Sequence, residues 1–441
     1  MQAIRRLEYH AALSEIGNQE DSILTRRGMA ALVALGAMSL GVTACGGSDS
    51  GGGGGGGAED TTVNVYSSLP LQGANRVQNE AVVNGAKLAL KQRNNKAGKF
   101  TVKYTSLDDS TAQTGNWDPG QTSANARKVA QDEKAVGYIG EFNSGASAIS
   151  IPLLNEAGIA QISPANTAVG LTSDEPGAER GEPDKYYPTG KRHYARIVPK
   201  DTIQGAALAT LMKEEGCTQV AILNDKEVYG AGLSRNIQLA AEKVGLQVTG
   251  NDAIDKQASN YRSLASGIEG DCVVYSGVTA NNGVQVVKDV AAALPDAKIF
   301  GPDGVAEAAF TDPKEGGIPK EVADRTKVTV ATLDPKEYPA EGQKFFSEFE
   351  TEYGDKTPDP YAIYGYEAMN LTLDAIERAG DKGSDKAAVV EALFATKDRE
   401  SVLGTYSIDE NGDTTLTDYG VYRIEDGELT FDKTIKAEGG A

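Results

Sequence analysis

From residue 62 onward, the chain alternates short apolar runs with longer stretches in which apolar residues recur at helical spacing. The short runs predict strands and the longer stretches predict helices, because side chains repeat every two residues in a strand and every 3.6 in a helix. The first strands are predicted at 63–67, 100–106, 136–140 and 160–162. The intervening helices are predicted at 79–94, 124–131 and 148–157. This order indicates a parallel sheet with helices on both faces.

A second series of the same kind follows a polar insertion at 173–190. Its strands are predicted at 219–224, 247–250, 272–276 and 298–301, and its helices at 203–215, 233–244, 262–268 and 284–293. In the C-terminal part the regular alternation of strand and helix ends. We predict a strand at 328–332, helices at 345–353, 362–376 and 386–395, and β-like runs at 404–409, 419–424 and 429–431. Hairpins after helices suggest that the chain returns to both lobes instead of building a third domain.

We therefore predict an α/β fold of two doubly wound parallel-sheet lobes joined by multiple hinge crossovers. The first lobe is predicted to comprise residues 61–196 with 332–402. The second lobe is predicted to comprise residues 197–331 with 403–441. A chain of 441 residues is long enough for two domains that each bury a core of their own.

The N-terminal segment is typical of an export signal. Arg26 and Arg27 precede an apolar run at 29–42, about half the length of a membrane-spanning helix, so we interpret residues 1–44 as a signal peptide with an N-terminal extension. The run ends in Val-Thr-Ala-Cys at Cys45, which resembles a bacterial lipobox, whose cysteine is acylated and becomes the mature N-terminus. The alternative is a secretory signal with an incidental cysteine. The glycine-rich tether that follows favours a lipid-anchored linker at 45–60.

The charge balance limits the partners. The net charge of −20 repels phosphate backbones and anionic lipid heads, so we expect no nucleic acid partner, and a lipid anchor instead of a basic patch for the membrane. Of the two histidines, His10 precedes the cleavage site and His193 lies in a basic loop, where we expect it to be solvated. One histidine excludes most Ser-His-Asp and multi-histidine metal sites, so we expect no catalytic residues, no metal and no cofactor.

Two cysteines remain after export. Cys217 and Cys272 each stand just before an apolar, strand-like run. An even pair in an oxidising compartment favours a disulfide, and the first and third strands of a doubly wound sheet are neighbours, so their starting ends could meet. The alternative is two separately buried thiols. We expect the bridge.

The loops that follow the strands hold the candidate binding chemistry, because ligands of open α/β sheets bind beyond the carboxyl ends of the strands. The stretch 144–147, Ser-Gly-Ala-Ser, offers hydroxyls and backbone N–H groups that suit a carboxylate, although an ordinary helix cap is the alternative. The stretch 163–168 offers an open carbonyl and another hydroxyl. In the second lobe, 224–232 follows one strand, and Asp303 places a carboxylate after another. Together these groups would clamp a zwitterion.

Four of these segments in register resemble the type 1 periplasmic binding proteins, and among them the leucine/isoleucine/valine-binding receptors of ABC transporters. The segments are 139–144, 162–167, 224–230 and 301–304. The resemblance covers about residues 62–431, and the segments occur in family order. It implies a two-lobed solute receptor outside the cytoplasm that passes its ligand to a membrane permease.

The resemblance also implies roles at the matching positions. Ser144 and Thr167 would bind the ligand carboxylate through their hydroxyls and backbone N–H groups. The carbonyl of Ala165 and the hydroxyl of Thr167 would take the ammonium group. Asp303 stands where family members carry an acid that pairs with the ammonium.

Two aromatic residues complete the implied site. Tyr229 would close over the ligand from the second lobe, and Tyr361 would wall the side-chain pocket. The chain departs from the family at Val278, where amino-acid binders often have a tyrosine, and at Asp303, which is one methylene shorter than the usual glutamate. The loop around Trp117 is extra, and Trp117 is either a pocket wall or surface packing.

We predict an extracytoplasmic, lipid-anchored substrate-binding protein of an ABC importer, which closes on an amino acid, branched-chain or similar. Its partners are the amino acid, the ABC permease and the membrane. The alternatives are a ligand-sensing receptor, or an amide or organic-acid binder, of the same fold. An envelope enzyme is disfavoured, because it needs a nucleophile with a base or a metal, and one loop histidine supplies neither.

Overall fold

The structure, a computed structural model, describes residues 61–436, and the earlier part of that range forms a six-stranded sheet. Its strands are β1 (Thr62–Leu69), β2 (Lys96–Ala97), β3 (Phe100–Asp108), β4 (Ala135–Ile139), β5 (Ala160–Ser163) and β6 (Tyr194–Arg196). Their order in the sheet is β2-β3-β1-β4-β5-β6, and the pairs from β3 to β6 are parallel. The central strand β4 is buried along its whole length, as expected when helices cover both faces.

The later part forms a seven-stranded sheet and a small hairpin. The strands are β7 (Gln219–Asn224), β8 (Gln247–Ala253), β9 (Cys272–Ser276), β10 (Lys298–Gly301), β11 (Thr326–Val330), β12 (Arg399–Ser401), β13 (Gly404–Tyr406), β14 (Asp418–Glu425) and β15 (Glu428–Lys436). The large sheet has the order β15-β14-β11-β10-β9-β7-β8, with β8 to β11 parallel and β14 and β15 antiparallel. β12 pairs with β13 in a sheet of its own. We call the six-stranded and seven-stranded sheets, with their covering helices, the first and second lobes.

Helices alternate with the strands. They are α1 (Arg76–Gln92), α2 (Pro119–Ala130), α3 (Ser144–Ala157), α4 (Asp201–Glu214), α5 (Val228–Lys243), α6 (Arg262–Ala265), α7 (Gly283–Ala293), α8 (Ala308–Thr311), α9 (Lys320–Ala323), α10 (Ala340–Tyr353), α11 (Ala362–Arg378) and α12 (Lys386–Phe394). α1 to α3 connect strands of the first sheet, and α11 and α12 return to pack on that lobe. No helix of the described residues is long and apolar enough to span a bilayer.

Helices α1 and α11 approach each other closely through two glycines. A Cβ on Gly85 of α1 would lie 2.1 Å from the carbonyl oxygen of Ala362, and a Cβ on Gly365 of α11 would lie 2.0 Å from that of Val82. Any larger side chain at either glycine would push the helices apart. The returning segment is therefore packed tightly against the first lobe.

The predicted fold class is confirmed, with several differences in detail. The strands β2, β6 and β12 and the short helices α8 and α9 were not predicted, and α10 begins at Ala340, before the predicted start at 345. Helices α3 and α5 begin at Ser144 and Val228, about one turn before the predicted starts at 148 and 233. The first turn of α3 is Ser-Gly-Ala-Ser, and α5 has Gly-Ala-Gly at 230–232 after Val228 and Tyr229, so neither stretch carries an apolar helical periodicity. The β-like run predicted at 404–409 is shorter and belongs to the separate hairpin. The second sheet also gains two antiparallel strands, so its strands are not all parallel. The predicted signal and linker, with Cys45, lie outside the described residues.

Candidate functional site

The carboxyl ends of β4 and β5 bring three of the predicted site residues together. Ser144 is the first residue of α3 and is buried, and its hydroxyl accepts a hydrogen bond from the N–H of Ala168 at 3.4 Å. The hydroxyl of Ser163, at the end of β5, accepts the N–H groups of Ala165 and Asn166 at 3.2 and 2.9 Å. These bonds fix the loop that carries Ala165 and Thr167 beside the N-terminus of α3, where backbone N–H groups are free to bind an anion.

Thr167 is buried, and its hydroxyl lies beside the Asp201 carboxyl without a well-aligned hydrogen bond to any group of the described chain. Its carbonyl oxygen accepts the N–H of Asp201 at 2.8 Å, which ties the loop to the start of helix α4 in the second lobe. A buried hydroxyl without a partner is costly, so this atom is a natural contact for a ligand.

Asp303 follows β10 and is the centre of a cluster built from both lobes. One oxygen, Oδ1, accepts the hydroxyl of Tyr229 at 2.6 Å and the amide of Gln204 at 2.7 Å. The other, Oδ2, accepts the hydroxyl of Tyr361 at 2.7 Å. The two lobes therefore surround the partly exposed Asp303 carboxylate with three hydrogen-bond donors.

The electrostatics of this cluster follow from burial. Burial raises the pKa of Asp303, although the donated hydrogen bonds favour its charged form. Burial, together with the nearby Asp303 carboxylate, raises the pKa values of Tyr229 and Tyr361 well above their ordinary value. Both hydroxyls therefore remain protonated donors at any physiological pH.

Asp201 is a site residue that the sequence did not reveal. Its side chain is fully buried, and its carboxyl group has no well-aligned hydrogen bond within the described chain, with the Thr167 hydroxyl as the neighbouring donor. Burial, and then the charge of Asp303, raises its pKa well above the ordinary value. In sequence it is an ordinary acid in the first turn of a helix. The signal that could have exposed it is its place at the crossover between the two predicted lobes.

Aromatic rings and extra loops surround these groups. Tyr361 packs edge-to-face on Phe142 of the first lobe, with 5.4 Å between ring centroids. Trp117 lies against the N-terminus of α3, since a Cβ on Gly145 would come within 2.7 Å of its ring. Trp117 is thus packed where the site begins, not on a remote surface. In the 173–190 insertion, the carbonyl oxygen of Gly177 accepts a hydrogen bond from the guanidinium group of Arg235 on α5 at 2.7 Å.

His193 is buried, although the sequence analysis predicted a solvated loop histidine. Its side chain is buried, its Nδ1 lies 2.9 Å from the amide nitrogen of Asn155, and its ring packs against Tyr187. Burial, reinforced by the positive charge of Arg192, lowers its pKa to about 3, so the ring is neutral. Its backbone carbonyl also pairs with Gln161 at the start of β5, which draws the loop onto the sheet. His193 is therefore a structural residue.

Cys217 and Cys272 are joined by a disulfide in the structure, with their Cα atoms 5.9 Å apart. They sit at the starting ends of the neighbouring strands β7 and β9, as the expected strand order requires. Among the described residues, these sulfurs and Asp271 form the one group close enough to hold a metal ion. Sulfurs that are bonded to each other are not available as thiolate ligands.

Comparison with known proteins identifies the family. The model of the periplasmic binding protein family matches residues 62–428. A Leu/Ile/Val-binding protein of Rhizobium johnstonii is 26% identical over 383 residues, covering 84% of this chain and 93% of the relative. A leucine-, isoleucine-, valine-, threonine- and alanine-binding protein of Pseudomonas aeruginosa is 24% identical, covering 82% of this chain and 89% of the relative.

Solved structures share the fold. A leucine-binding protein of Thermotoga maritima superposes with a TM-score of 0.72 at 22% identity, covering 85% of this chain and 99% of that one. A solute-binding protein of Rhodopseudomonas palustris in complex with p-hydroxybenzoic acid gives a TM-score of 0.69 at 19% identity, covering 86% and 98%. The chain therefore belongs to the periplasmic binding protein family, whose members bind solutes outside the cytoplasm and are not enzymes.

Proposed function

We propose that this protein is the substrate-binding lipoprotein of an ABC importer and that it closes its two lobes on an amino acid. The observation that carries the proposal is the pairing of two opposite sets of groups at the cleft. The free N–H groups at the start of α3 and the Thr167 hydroxyl suit a carboxylate. The carboxyl groups of Asp303 and Asp201 suit an ammonium group.

Each predicted residue takes a role in this arrangement. Ser144 and Thr167 bind the ligand carboxylate, and the Ala165 carbonyl with the Thr167 hydroxyl takes the ammonium. Asp303 pairs with the same ammonium and remains held by Tyr229 and Tyr361. A carboxylate has about four lone-pair sites, and three are used by protein donors, so Asp303 retains room for one more hydrogen bond.

Lobe closure follows from where the groups stand. The carboxylate-binding groups belong to the first lobe, and Asp303 and Tyr229 to the second. A ligand that contacts both lobes only when they are shut stabilises the closed form by that difference in affinity. The closed form is then what a permease partner recognises.

The relatives named for leucine, isoleucine and valine support an amino acid as the ligand class. A neighbour solved with p-hydroxybenzoic acid raises an organic acid as a second candidate. The Asp303 carboxylate disfavours a ligand whose only charge is negative, because the ligand would meet like charge at close range. A sensor that signals through a partner would use the same site, and binding alone does not separate it from a transporter.

The proposed anchor is Cys45, on the sequence pattern that surrounds it. An acylated cysteine followed by fifteen residues of glycine-rich tether, 46–60, would leave the binding domain free to turn at the membrane surface. This arrangement brings the protein close to a membrane permease without a basic patch.

Thermal-shift screening followed by calorimetric titration tests the proposal. The screen compares free amino acids with small amides and with benzoates, using the purified mature protein. We expect stabilisation by amino acids that have both a free carboxylate and a free ammonium. Stabilisation by benzoates or amides alone would contradict the amino-acid ligand.

Two variants test the assigned groups. A charge-assisted hydrogen bond in a closed cleft contributes roughly 1.5–3 kcal/mol, so Asp303→Ala should weaken binding of the best amino acid at least about tenfold to a hundredfold. Thr167→Val should also weaken it, because the hydroxyl serves both ends of the zwitterion. Asp324→Ala, an exposed acid on the second lobe, is the control and should bind as wild type does. Wild-type affinity in Asp303→Ala would end the zwitterion scheme.

A further inference from the structure

A second polar cluster, which we call the distal cluster, lies where the lobes meet beside Asp303. It consists of Asn75 and Gln78 near the start of α1, with Glu307 and Asp359. The amide of Asn75 donates to Oε2 of Glu307 at 3.0 Å, so the cluster bridges the first and second lobes. The cluster has no part in holding the carboxylate and ammonium of the ligand as described above.

Buried atoms of the distal cluster lack partners. Oδ1 of Asn75 and Oε1 of Glu307 form no hydrogen bond within the described chain, whereas the amide of Gln78 lies beside the Asp359 carboxyl. Asn75, Gln78 and Glu307 are only 3%, 4% and 6% exposed. Leaving a buried acceptor unpaired costs about 1–3 kcal/mol, so two free acceptors together at the proposed ligand cleft favour a ligand group that donates hydrogen bonds to them.

Tyr361 connects this cluster to the amino-acid end of the site. Its backbone N–H donates to Oδ1 of Asp359 at 2.9 Å, and its hydroxyl donates to Oδ2 of Asp303 at 2.7 Å. Glu307 lies four residues after Asp303, in the same turn-rich segment that follows β10. The distal cluster is therefore about one tyrosine side chain away from the proposed ammonium site, the distance that separates the two ends of an amino acid with a long side chain.

The charge in the cluster is uncompensated. The groups acting on Glu307 are Thr279, Asp359 and Asn75, and those acting on Asp359 through their side chains are Gln78 and Asp355, so no lysine or arginine is among them. Burial raises the pKa values of Glu307 and Asp359 to about 7 each. A bound cation would favour the ionised form of both carboxyl groups.

An apolar side chain does not suit these walls. A branched aliphatic group placed here would cover the carboxyl of Glu307 and the free oxygen of Asn75 and offer neither of them a hydrogen bond. A side chain that ends in N–H groups would satisfy both carboxyl groups and the free oxygen of Asn75. The cationic amine or guanidinium would add a charge of the required sign.

We propose that the distal cluster is the subsite for the ligand side chain and that it takes a side chain ending in N–H donors, with a preference for a cationic amine or guanidinium over a branched-chain group. The inference rests on the proposed function, because it assumes an amino acid held at Asp303. It deepens that function by naming the class of amino acid.

Calorimetric titration of the mature protein with lysine, ornithine, arginine, glutamine, leucine and valine tests the inference. We expect the basic amino acids to bind at least about tenfold more tightly than leucine or valine, with glutamine between them. Glu307→Gln keeps the shape and an acceptor for Asn75 but removes the charge. It should reduce the affinity for the basic amino acids by about tenfold and leave the affinity for glutamine nearly unchanged. The reason is that the variant loses a charge-assisted hydrogen bond, which only a cationic side chain makes.

Glu315→Gln, an exposed acid in the same lobe, is the matched control and should bind every ligand as wild type does. Tighter binding of leucine or valine than of basic amino acids by the wild type would overturn the inference, and this result needs no variant to fold. If that leucine binding is lost in Asp303→Ala, the proposed function stands without the inference. If no amino acid binds the wild type at all, both fail.

Discussion

Tyr361 on the first lobe donates its hydroxyl hydrogen to Asp303 on the second lobe across 2.7 Å. The bond joins residues 58 positions apart and crosses between the lobes at the place proposed for the ligand ammonium. The Asp303 carboxylate is thus engaged by the protein itself in this structure. An ammonium group bound at this place would share Asp303 with the tyrosine hydroxyls.

We predict that Tyr361→Phe opens the unliganded protein. The change removes the hydroxyl and keeps the ring against Phe142. A hydrogen bond to a charged group contributes roughly 1.5–3 kcal/mol, so the closed form should lose at least about tenfold in relative population. Small-angle scattering should show a larger radius of gyration without ligand, and titration should show weaker amino-acid binding.

The matched control for this variant is Tyr366→Phe on the same helix, whose hydroxyl donates to Gln92 at the surface. It should leave both the radius of gyration and the affinity unchanged. Equal behaviour of the two variants would show that the bond between Tyr361 and Asp303 does not hold the lobes together.

We predict that the distal cluster makes the unliganded protein less stable as the pH rises towards neutral. Glu307 and Asp359 have pKa values raised to about 7, whereas in the unfolded chain they ionise near 4.5 and 3.8. Between these values the folded state holds protons that the unfolded state has released. Their contribution to stability is therefore complete below the unfolded pKa values and is lost as the pH rises through about 7.

The measurement is the melting temperature of wild type and Glu307→Gln at several pH values between about 4 and 8. The wild type should lose stability relative to the variant across this range by several degrees, since about 1 kcal/mol corresponds to ~2–4 °C. The difference in melting temperature between the two proteins is used because Asp201, which has a raised pKa of its own, contributes equally to the pH dependence of both. A difference independent of pH would contradict the prediction.

We predict that Cys217 and Cys272 form a disulfide in the secreted protein. Peptide mapping after alkylation of the unfolded, non-reduced protein should find neither cysteine alkylated. The bridge closes a loop of 55 residues, for which the chain-entropy estimate is about 4 kcal/mol, so reduction should lower the melting temperature clearly. Two alkylated cysteines would refute it and favour separately buried thiols.

We predict that Cys45 carries the lipid. Cys45→Ala should release the protein into the medium or leave it as unprocessed precursor, because it removes the acylated thiol. Detergent phase partitioning of wild type and variant measures the difference. Unchanged partitioning of the variant into the detergent phase would refute the anchor. The substitution lies outside the binding domain, so the variant should bind ligand as the wild type does. Ligand binding therefore serves as the control for correct folding.

The sequence predicted most strands of both lobes, because each of these is a short apolar run that ends in polar or glycine-containing loops. It did not predict β2 and β6, which are only two and three residues long. It also placed Ser144, Thr167 and Asp303 at the ends of strands, where binding residues of open sheets lie. The first turns of α3 and α5 were missed because Ser-Gly-Ala-Ser at 144–147 and Gly-Ala-Gly at 230–232 carry no apolar helical periodicity. Those turns hold Ser144 and Tyr229, so two of the residues proposed to bind the ligand lie where the helical pattern is absent.

Long-range pairing explains what the sequence did not predict. Asp201 resembles any acid in the first turn of a helix until the crossover brings its N–H to the carbonyl of Thr167. The distal cluster likewise joins Asn75 to Glu307, 232 positions away. Neither relationship leaves a local pattern, because each depends on how the two lobes are assembled.

The close glycine contact between α1 and α11 has a consequence for recognition. Asn75 stands at the N-cap of α1 and Tyr361 at the N-cap of α11, so one tightly packed pair of helices carries the first-lobe residues that reach Glu307 and Asp303. Under the proposed function, a single opening of the lobes would therefore break the contacts at both ends of the ligand. A ligand that binds at one end only would then stabilise the closed form less than a ligand that binds at both ends.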